Sequence, residues 1–213
     1  MKLSGDGVRV AQPLFPVDGQ GSIPMSPLQL KFEQCGIKCA IELNKLWHSR
    51  MPELNYQVSL WGGISIAYVA EFKNYSFAVS IWTRPIAANR MKHGTKILEL
   101  RRMAIADDAP KNTASRFISW MVKDIKKLMP DIIKLISYQD TYVHTGTIYK
   151  ASGWKIGSKS NYIPWTEHTD KRKAYGLEQS DAPKNRWEKQ IRPEPEILRS
   201  NKTEVSEQQL KLF

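Results

Sequence analysis

Residues 97–157 alternate between apolar runs suited to strands and segments with helical spacing, and this alternation restricts the fold more than any other feature of the chain. Residues 97–106 predict a strand inside a sheet, because apolar residues fall on both of its faces. Residues 107–111 interrupt the run and contain a proline. The chain then predicts a long helix, a buried strand at 132–138, a short helix at 145–151 and a strand from Trp154.

The long helix has an amphipathic pattern. Asn112 suits its N-cap, and Lys126 and Lys127 suit the negative end of the helix dipole before Pro130 ends the run. One helical stripe is apolar and consists of Ala114, Phe117, Ile118, Met121, Ile125 and Leu128. This stripe predicts the face that packs on the sheet.

The residues before position 97 predict a helix and several antiparallel strands. Alternation at residues 28–32 indicates a first strand, and Ile37 to Trp47 has helical spacing. Three further strands are expected at 56–61, 64–72 and 77–82, with a hairpin turn at 73–76.

Composition and charge narrow the class of protein. The 213 residues are 41% apolar, enough for one core, and the net charge of +11 suits a polyanionic partner or a simply basic surface. No apolar run is long enough for a membrane span and no signal peptide is visible, so we expect a cytoplasmic protein without a membrane partner. Cys35 and Cys39 are four residues apart and are expected on one helix. They lack a second pair to complete a zinc site and are expected to be reduced.

Short polar motifs stand at the joints of the predicted elements and on two upstream segments. They lie at 99–102 (Glu-Leu-Arg-Arg), 112–115 (Asn-Thr-Ala-Ser), 137–140 (Ser-Tyr-Gln-Asp), 144–154 (His-Thr-Gly-Thr-Ile-Tyr-Lys-Ala-Ser-Gly-Trp), 47–50 (Trp-His-Ser-Arg) and 78–82 (Ala-Val-Ser-Ile-Trp). Over residues 28–165 the chain resembles the phage Mom family, GNAT-like enzymes that hypermodify adenine in phage DNA. The order of elements likewise resembles the cofactor-binding half of the GNAT acyltransferase fold.

The resemblance implies an α+β fold, a GNAT-like mixed and strongly bent β-sheet flanked by helices. It also implies transfer of a small acyl-derived group to adenine N6 in DNA, giving a carbamoylmethyl-type product that protects phage DNA from restriction. No glycine-rich pyrophosphate loop follows the 97–106 strand, and Asp107 and Asp108 would repel a pyrophosphate. The cofactor, acyl-CoA or another acyl donor, is therefore left open.

Three residues are the catalytic candidates. Tyr149 lies where many GNAT enzymes carry a tyrosine that protonates the departing thiolate, although a core aromatic is the alternative. Asp140 follows a buried strand and can accept a hydrogen bond from adenine N6, or only cap a turn. His48 falls at a helix end, where a surface role is the alternative. The resemblance also implies that His48, Asp140 and Tyr149 are ligands for a single iron.

The other candidate residues would bind the donor or the DNA. Asn112 and Ser115 can bind an anionic group of the donor or act only as helix caps, and Gly146 and Thr147 are a similar anion-binding turn. The residues expected to bind the DNA substrate are Tyr138, Trp82 and Arg84. Arg84 begins a basic loop, for which the alternative interpretation is a solvated connector.

The predicted organisation has four parts. Residues 1–27 form a flexible arm, 28–165 the catalytic domain, 166–192 a basic aromatic extension suited to DNA or to packing on the domain, and 193–213 a disordered tail. The tail ends in Gln209, Leu210, Lys211, Leu212 and Phe213, which resemble the motif that binds the bacterial sliding clamp. Two alternative functions stay open: acylation of a small-molecule or protein amine from acyl-CoA, and a non-catalytic DNA-binding accessory role.

Overall fold

The computed structural model describes residues 2–3, 9–10, 23–47, 64–85, 96–142, 144–160 and 183–194. The elements in these ranges are listed in chain order: β1 Lys2–Leu3, β2 Arg9–Val10, β3 Lys31–Cys35, α1 Ile37–Trp47, β4 Ser65–Phe72, β5 Tyr75–Thr83, β6 Ile97–Ile105, α2 Thr113–Leu128, β7 Lys134–Asp140, α3 Thr147–Ala151, β8 Lys155–Ser160 and β9 Lys184–Gln190. None of these helices is both long and apolar enough to cross a membrane.

Seven strands form one mixed sheet in the order β3-β4-β5-β6-β7-β9-β8, while β1 and β2 pair separately. Strands β6 and β7 are parallel and are joined by the α2 crossover, and the other neighbours in the seven-stranded sheet are antiparallel. Strand β9 therefore enters the sheet between β7 and β8, although β8 precedes it in the chain.

The parallel strands β6 and β7 pair over only part of their length. Their register runs from Ile97 opposite Lys134 to Leu100 opposite Ser137, whereas β6 continues to Ile105 and β7 to Asp140. Strand β6 also slips register against β5 between Ile81 and Trp82, a bulge that bends the strand at this level. The sheet consequently opens between β6 and β7 beyond Leu100 and Ser137, and we call this opening the split.

Two clusters of apolar side chains cover the two faces of the sheet. On one face, α2 and α3 pack on a large cluster that includes Trp82, Leu98, Leu100 and Trp187. On the other face, α1 packs on a smaller cluster from β4, β5 and β6 that includes Ala67, Val69, Val79, Ile81 and Ala104. We call these the α2 face and the α1 face.

Helix α2 confirms the predicted amphipathic stripe but begins differently from the prediction. Phe117, Ile118, Met121 and Ile125 are buried, whereas Leu128 is exposed. Asn112 adopts a left-handed conformation with φ of 70° and makes no side-chain capping bond. The hydroxyl of Thr113 instead donates to the carbonyl of Pro110 at 2.6 Å, so the turn before the helix takes over the stabilising role.

The predicted hairpin between β4 and β5 is confirmed, with a tighter turn. Lys73 and Asn74 both have positive φ, 48° and 67°, as a two-residue turn of this handedness requires. The strand expected at residues 28–32 is corrected, because Pro27–Gln29 forms a 3-10 turn with Ser26 as its capping residue and β3 begins at Lys31. The strand expected at 56–61 lies outside the described residues.

Two other expectations are corrected by the strands. Cys35 ends β3 and Cys39 lies on α1, so the two cysteines do not share one helix. Strand β9 pairs with β7 along its whole length, so the domain extends past residue 165 and part of the expected 166–192 extension is integral to the sheet. Strand β9 is held between β7 and β8 by backbone hydrogen bonds, so it needs little apolar patterning of its own. Its single buried apolar side chain is Trp187.

The sulfur of Met121 provides a test of the core. It accepts hydrogen bonds from the Ser80 hydroxyl at 2.8 Å and from the Trp82 indole at 3.2 Å, and all three side chains are fully buried. Met121→Leu preserves volume but leaves both donors without this acceptor. We expect a loss of about 2–4 kcal/mol in the free energy of unfolding. Urea denaturation measures it, with Met129→Leu at the core margin as the control. Equal losses in both variants would contradict this role of the sulfur.

Candidate active site

Ser137 lies at the vertex of the split. It is opposite Leu100 in the last parallel pair, and its hydroxyl donates to the Leu100 carbonyl oxygen at 3.4 Å. The hydroxyl oxygens of Ser137 and Tyr149 are 2.9 Å apart, within hydrogen-bond distance, and both side chains are buried. Three polar groups from β6, β7 and α3 therefore meet where the two strands begin to diverge.

Aromatic packing holds Tyr149 in this position. Its ring stacks on Trp187 with centroids 5.3 Å apart and an interplanar angle of 16°, and it meets Trp154 edge-on at 5.7 Å. Burial raises the pKa of Tyr149, and the hydrogen bond with Ser137 partly offsets that rise. The phenol therefore keeps its proton at neutral pH, as a general acid must. The contribution of the protonated phenol to stability is fully present below the ordinary tyrosine pKa. It is lost as the pH rises from that value through the raised pKa of the folded state, because the unfolded chain ionises first.

Helix α3 is fixed on the sheet at both of its ends. Gly146 precedes it with φ of 74°, and a β-carbon there would lie 2.6 Å from Trp187 Cζ2. At the other end, Lys189 Nζ donates to the Ser152 carbonyl at 2.7 Å, and the Ser152 hydroxyl donates to the Ser115 carbonyl of α2 at 3.0 Å. The position of Tyr149 is thus set by β7, β9 and α2 together.

Gln139 completes this support from the same face of β7. Its side-chain oxygen accepts from the Trp187 indole at 2.6 Å, and its side-chain nitrogen donates to the His144 carbonyl. One buried amide therefore ties the stacking tryptophan to the turn that precedes α3. The sequence analysis gave Ser137 and Gln139 only as members of the 137–140 motif, without a role, and placed Trp187 in the basic aromatic extension; polar residues inside an otherwise apolar strand were the available signal.

Asp140 lies on the other side of β7 from Tyr149. Ser137 and Gln139 point to the α2 face through their contacts with Tyr149 and Trp187, so alternation places Tyr138 and Asp140 on the α1 face. Asp140 Oδ1 accepts from the Tyr142 amide at 3.0 Å. The turn-capping alternative is therefore present, and one carboxylate oxygen is occupied by it.

The expected iron ligands are not brought together in the part of the chain that the structure describes. Tyr149 reaches β7 from the α2 face and hydrogen-bonds Ser137, while Asp140 leaves β7 on the α1 face. His48 lies outside the described residues, which contain no group of three His, Cys, Asp or Glu able to hold a metal ion. These side chains, as described, do not form an iron site.

The expected donor-binding residues make local contacts. The Ser115 hydroxyl donates to the Asn112 carbonyl at 3.1 Å, and the hydroxyls of Thr147 and Thr145 lie 2.8 Å apart. Gly146 serves the close approach of the turn to Trp187. Their role in binding a donor stays a prediction.

The three expected DNA-binding residues differ in exposure. Trp82 is fully buried and donates to Met121, so it packs the core and cannot face DNA, which corrects that expectation. Arg84 is exposed just after β5, and Tyr138 is 38% exposed on β7. Charged groups also occur in β6 near the split: Glu99 is buried, and Arg102 Nη1 donates to the Arg101 carbonyl at 2.9 Å.

A double-mutant cycle tests the bond between Ser137 and Tyr149. Ser137→Ala leaves the buried phenol without this partner and should lower the free energy of unfolding by about 1–3 kcal/mol. When Tyr149 is already replaced by Phe, Ser137→Ala should lower the free energy of unfolding by a smaller amount. Urea denaturation should give an interaction free energy between the two sites of at least about 0.5 kcal/mol. Ser119→Ala, which removes a hydroxyl on α2 bonded to the backbone carbonyl of Ser115, is the control and should show no coupling to Tyr149. Additive losses for Ser137 and Tyr149 would refute the bond.

The fold is similar to solved GNAT acetyltransferases. The ribosomal-protein-S18-alanine N-acetyltransferase from Escherichia coli has a TM-score of 0.55 at 9% identity, with 78% of this chain and 97% of that chain covered. A GNAT family acetyltransferase from Elizabethkingia anophelis with acetyl-CoA bound has a TM-score of 0.52 at 10% identity, covering 76% and 99%. The spermidine N-acetyltransferase from Vibrio cholerae, in complex with CoA and spermine, has a TM-score of 0.55 at 10% identity, covering 76% and 96%. These similarities confirm the predicted α+β, GNAT-like fold.

Sequence comparisons lead to a family. A comparison with curated proteins found no match. The model of the Mom protein family matches residues 80–211, more than half of the chain. The matched range includes both strands of the split, Tyr149 and the strand that carries Trp187. The chain belongs to the Mom protein family.

Proposed function

We propose that this protein transfers a small acyl-derived group to adenine N6 in DNA, giving a carbamoylmethyl-type product that protects phage DNA from restriction. The observation that carries the proposal is the split, with a buried phenol at its vertex on the α2 face and a carboxylate on the α1 face. A donor and an acceptor that approach from opposite faces can meet only where the sheet is open. Family membership supports DNA as the acceptor.

The donor, an acyl-CoA or another acyl donor, would approach from the α2 face. Beyond Leu100 the backbone of β6 does not pair with β7, and an extended amide-containing chain can bind along this opening. Structural neighbours bind acetyl-CoA or CoA, which supports this class of donor. Asp107 and Asp108, in the loop that leads to α2, disfavour a donor with a pyrophosphate close to that loop.

The acceptor adenine would approach from the α1 face. Its N6 lone pair is delocalised into the ring and is paired within a duplex, so the base must be flipped out or single-stranded. Asp140 can accept an N6 proton as the bond from N6 to carbon forms. The bond from that carbon to the leaving group breaks, and Tyr149 supplies the proton that the leaving group takes up. Ser137 holds the phenol at the vertex of the split during this step.

The first test is mass spectrometry of nucleosides from plasmid DNA of cells that express the protein. Wild type should yield a heavier adenine nucleoside, and Tyr149→Phe should lower its amount about 10²- to 10⁴-fold because the proton donor is lost. Asp140→Asn should do the same if the carboxylate accepts the N6 proton. Ser119→Ala is the control, because its hydroxyl lies on α2 and donates to the backbone carbonyl of Ser115.

The outcomes separate the candidate functions. Unmodified adenine from folded wild-type protein argues against the proposal. Turnover of acyl-CoA with small-molecule or protein amines would then favour the second candidate, which is supported by the N-acetyltransferase fold neighbours. Salt-sensitive DNA binding without turnover would instead indicate an accessory protein.

The C-terminal peptide at residues 209–213 is proposed to bind the bacterial sliding clamp, which would raise the local concentration of the enzyme on DNA. It lies outside the described residues, so the proposal depends on Gln209, Leu210, Leu212 and Phe213 in the sequence alone. Alanine at Leu212 and Phe213 should abolish co-purification with the clamp, while Lys211→Ala should not. Unchanged clamp binding after deletion of 209–213 would remove the proposal.

A further inference from the structure

The α1 face of the sheet carries two polar rows across β7, β9 and β8. Asp140, Lys184 and Ser160 are directly opposite one another and form the first row. Tyr138, Arg186 and Ser158 form the second row, two residues further along each strand. Residues in one row point to the same face, and rows two residues apart share that face. The first row begins at the proposed catalytic carboxylate and both rows lead away from the split.

This part of the sheet is partly open to solvent: Tyr138 and Ser160 are exposed, and the other four residues of the two rows are half-buried. Helix α1 packs mainly on β4, β5 and β6, and α2 and α3 pack on the opposite face. Tyr138 is 38% exposed although it lies in a strand next to fully buried neighbours. Most of β8 is likewise exposed.

Charge on these rows is unevenly distributed. Arg186 is held by Glu188, with Nε at 2.7 Å and Nη2 at 2.6 Å from Oε1, and Lys134 also contacts Glu188 at 3.6 Å. Among the residues that the structure describes, no carboxylate lies within ion-pair distance of Lys184 Nζ. The cation without a carboxylate partner therefore stands in the row that contains Asp140. A phosphate close to the site would complement it.

We propose that the β9 surface, defined as Tyr138, Ser158, Ser160, Lys184 and Arg186, binds the DNA strand that carries the target adenine. This inference rests on the proposed function and adds the contact surface. Lys184 neutralises a phosphate next to the flipped nucleotide, and the Ser158 hydroxyl can donate to a phosphate oxygen, while the Ser160 hydroxyl donates to the Lys184 carbonyl at 3.2 Å. Tyr138 stacks on a neighbouring base, and Glu188 holds Arg186 in place beside it.

The dimensions of the surface favour one strand over a duplex. The two rows are about 6.6 Å apart along the strands, and neighbouring strands are about 4.8 Å apart. The area is suited to one or two nucleotides of an unstacked strand. This size agrees with chemistry on a base that has left the helix.

Lys159 provides a matched control on the same hairpin. It pairs with Asn185, whose side chain donates to Gln139 on the α2 face, so Lys159 points away from the β9 surface. Like Lys184, it has no ion pair with a carboxylate among the described residues. If the two lysines contributed only general positive charge, their replacement would have the same effect on DNA binding.

The experiment is fluorescence anisotropy of the full chain with an adenine-containing single-stranded oligonucleotide over a series of salt concentrations. Lys184→Gln should reduce the slope of log K against log salt by about 0.7, one phosphate contact on a single strand, and Lys159→Gln should leave the slope unchanged. Tyr138→Ala should weaken binding about 5- to 150-fold, and Tyr138→Phe should retain wild-type affinity. Circular dichroism confirms that each variant is folded.

The results distinguish the surface from the function. The β9 surface would be overturned if Lys184→Gln and Lys159→Gln reduced the salt slope equally, or if Tyr138→Ala bound DNA like wild type. Modified adenine in cells would in that case still support the proposed function. Wild type without affinity for either the single strand or a mismatched duplex, and without modified adenine in cells, would overturn both. The β9 surface would be established if Lys184→Gln reduced the salt slope, Lys159→Gln did not, and Tyr138→Ala bound DNA more weakly than wild type.

Discussion

Four residue pairs of parallel β-sheet hold β6 beside β7, and the rest of the site depends on where this pairing ends. Up to Leu100 and Ser137 each strand satisfies the backbone groups of the other, and beyond them the two strands separate. The bulge against β5 turns β6 at the same level. A sheet that opens in this way keeps a buried core on one side of the vertex and offers backbone polar groups on the other. The position of Ser137 at that boundary explains why one hydroxyl can contact both β6 and α3.

The groups around Tyr149 offset the free-energy cost of burying its hydroxyl. A buried hydroxyl needs a partner, which Ser137 supplies, and the ring has Trp187 and Trp154 as apolar neighbours. Gln139 and Lys189 use their polar groups to fix the backbone and the indole that shape this pocket. The chemistry attributed to Tyr149 thus depends on residues whose own roles are structural. Substitutions among these supporting residues are expected to shift the position of the phenol, while the phenol itself can still donate a proton.

Much of the fold could be predicted from the sequence because apolar periodicity marks β4, β6, α1 and α2. Strand β9 could not, since Trp187 is its only buried apolar residue and its pairing with β7 depends on backbone groups. Asn112 suited an N-cap by residue type, but the turn at Pro110 sets a left-handed conformation there. Tyr149 and Asp140 were chosen from motifs. Their placement on opposite faces of β7 depends on which face of the sheet α3 packs against, and the sequence patterns do not specify that face.

The order of β9 in the sheet has a consequence for synthesis in the cell. The strand that packs Trp187 on Tyr149 and receives the bond to Gln139 is among the last described parts of the chain to leave the ribosome. Until then β7 has no neighbour on that side, and the pocket around the phenol lacks one wall. An unfinished chain would therefore be unable to hold Tyr149 in place. The geometry of the pocket around Tyr149 thus depends on a strand that follows both of its sheet neighbours in the chain.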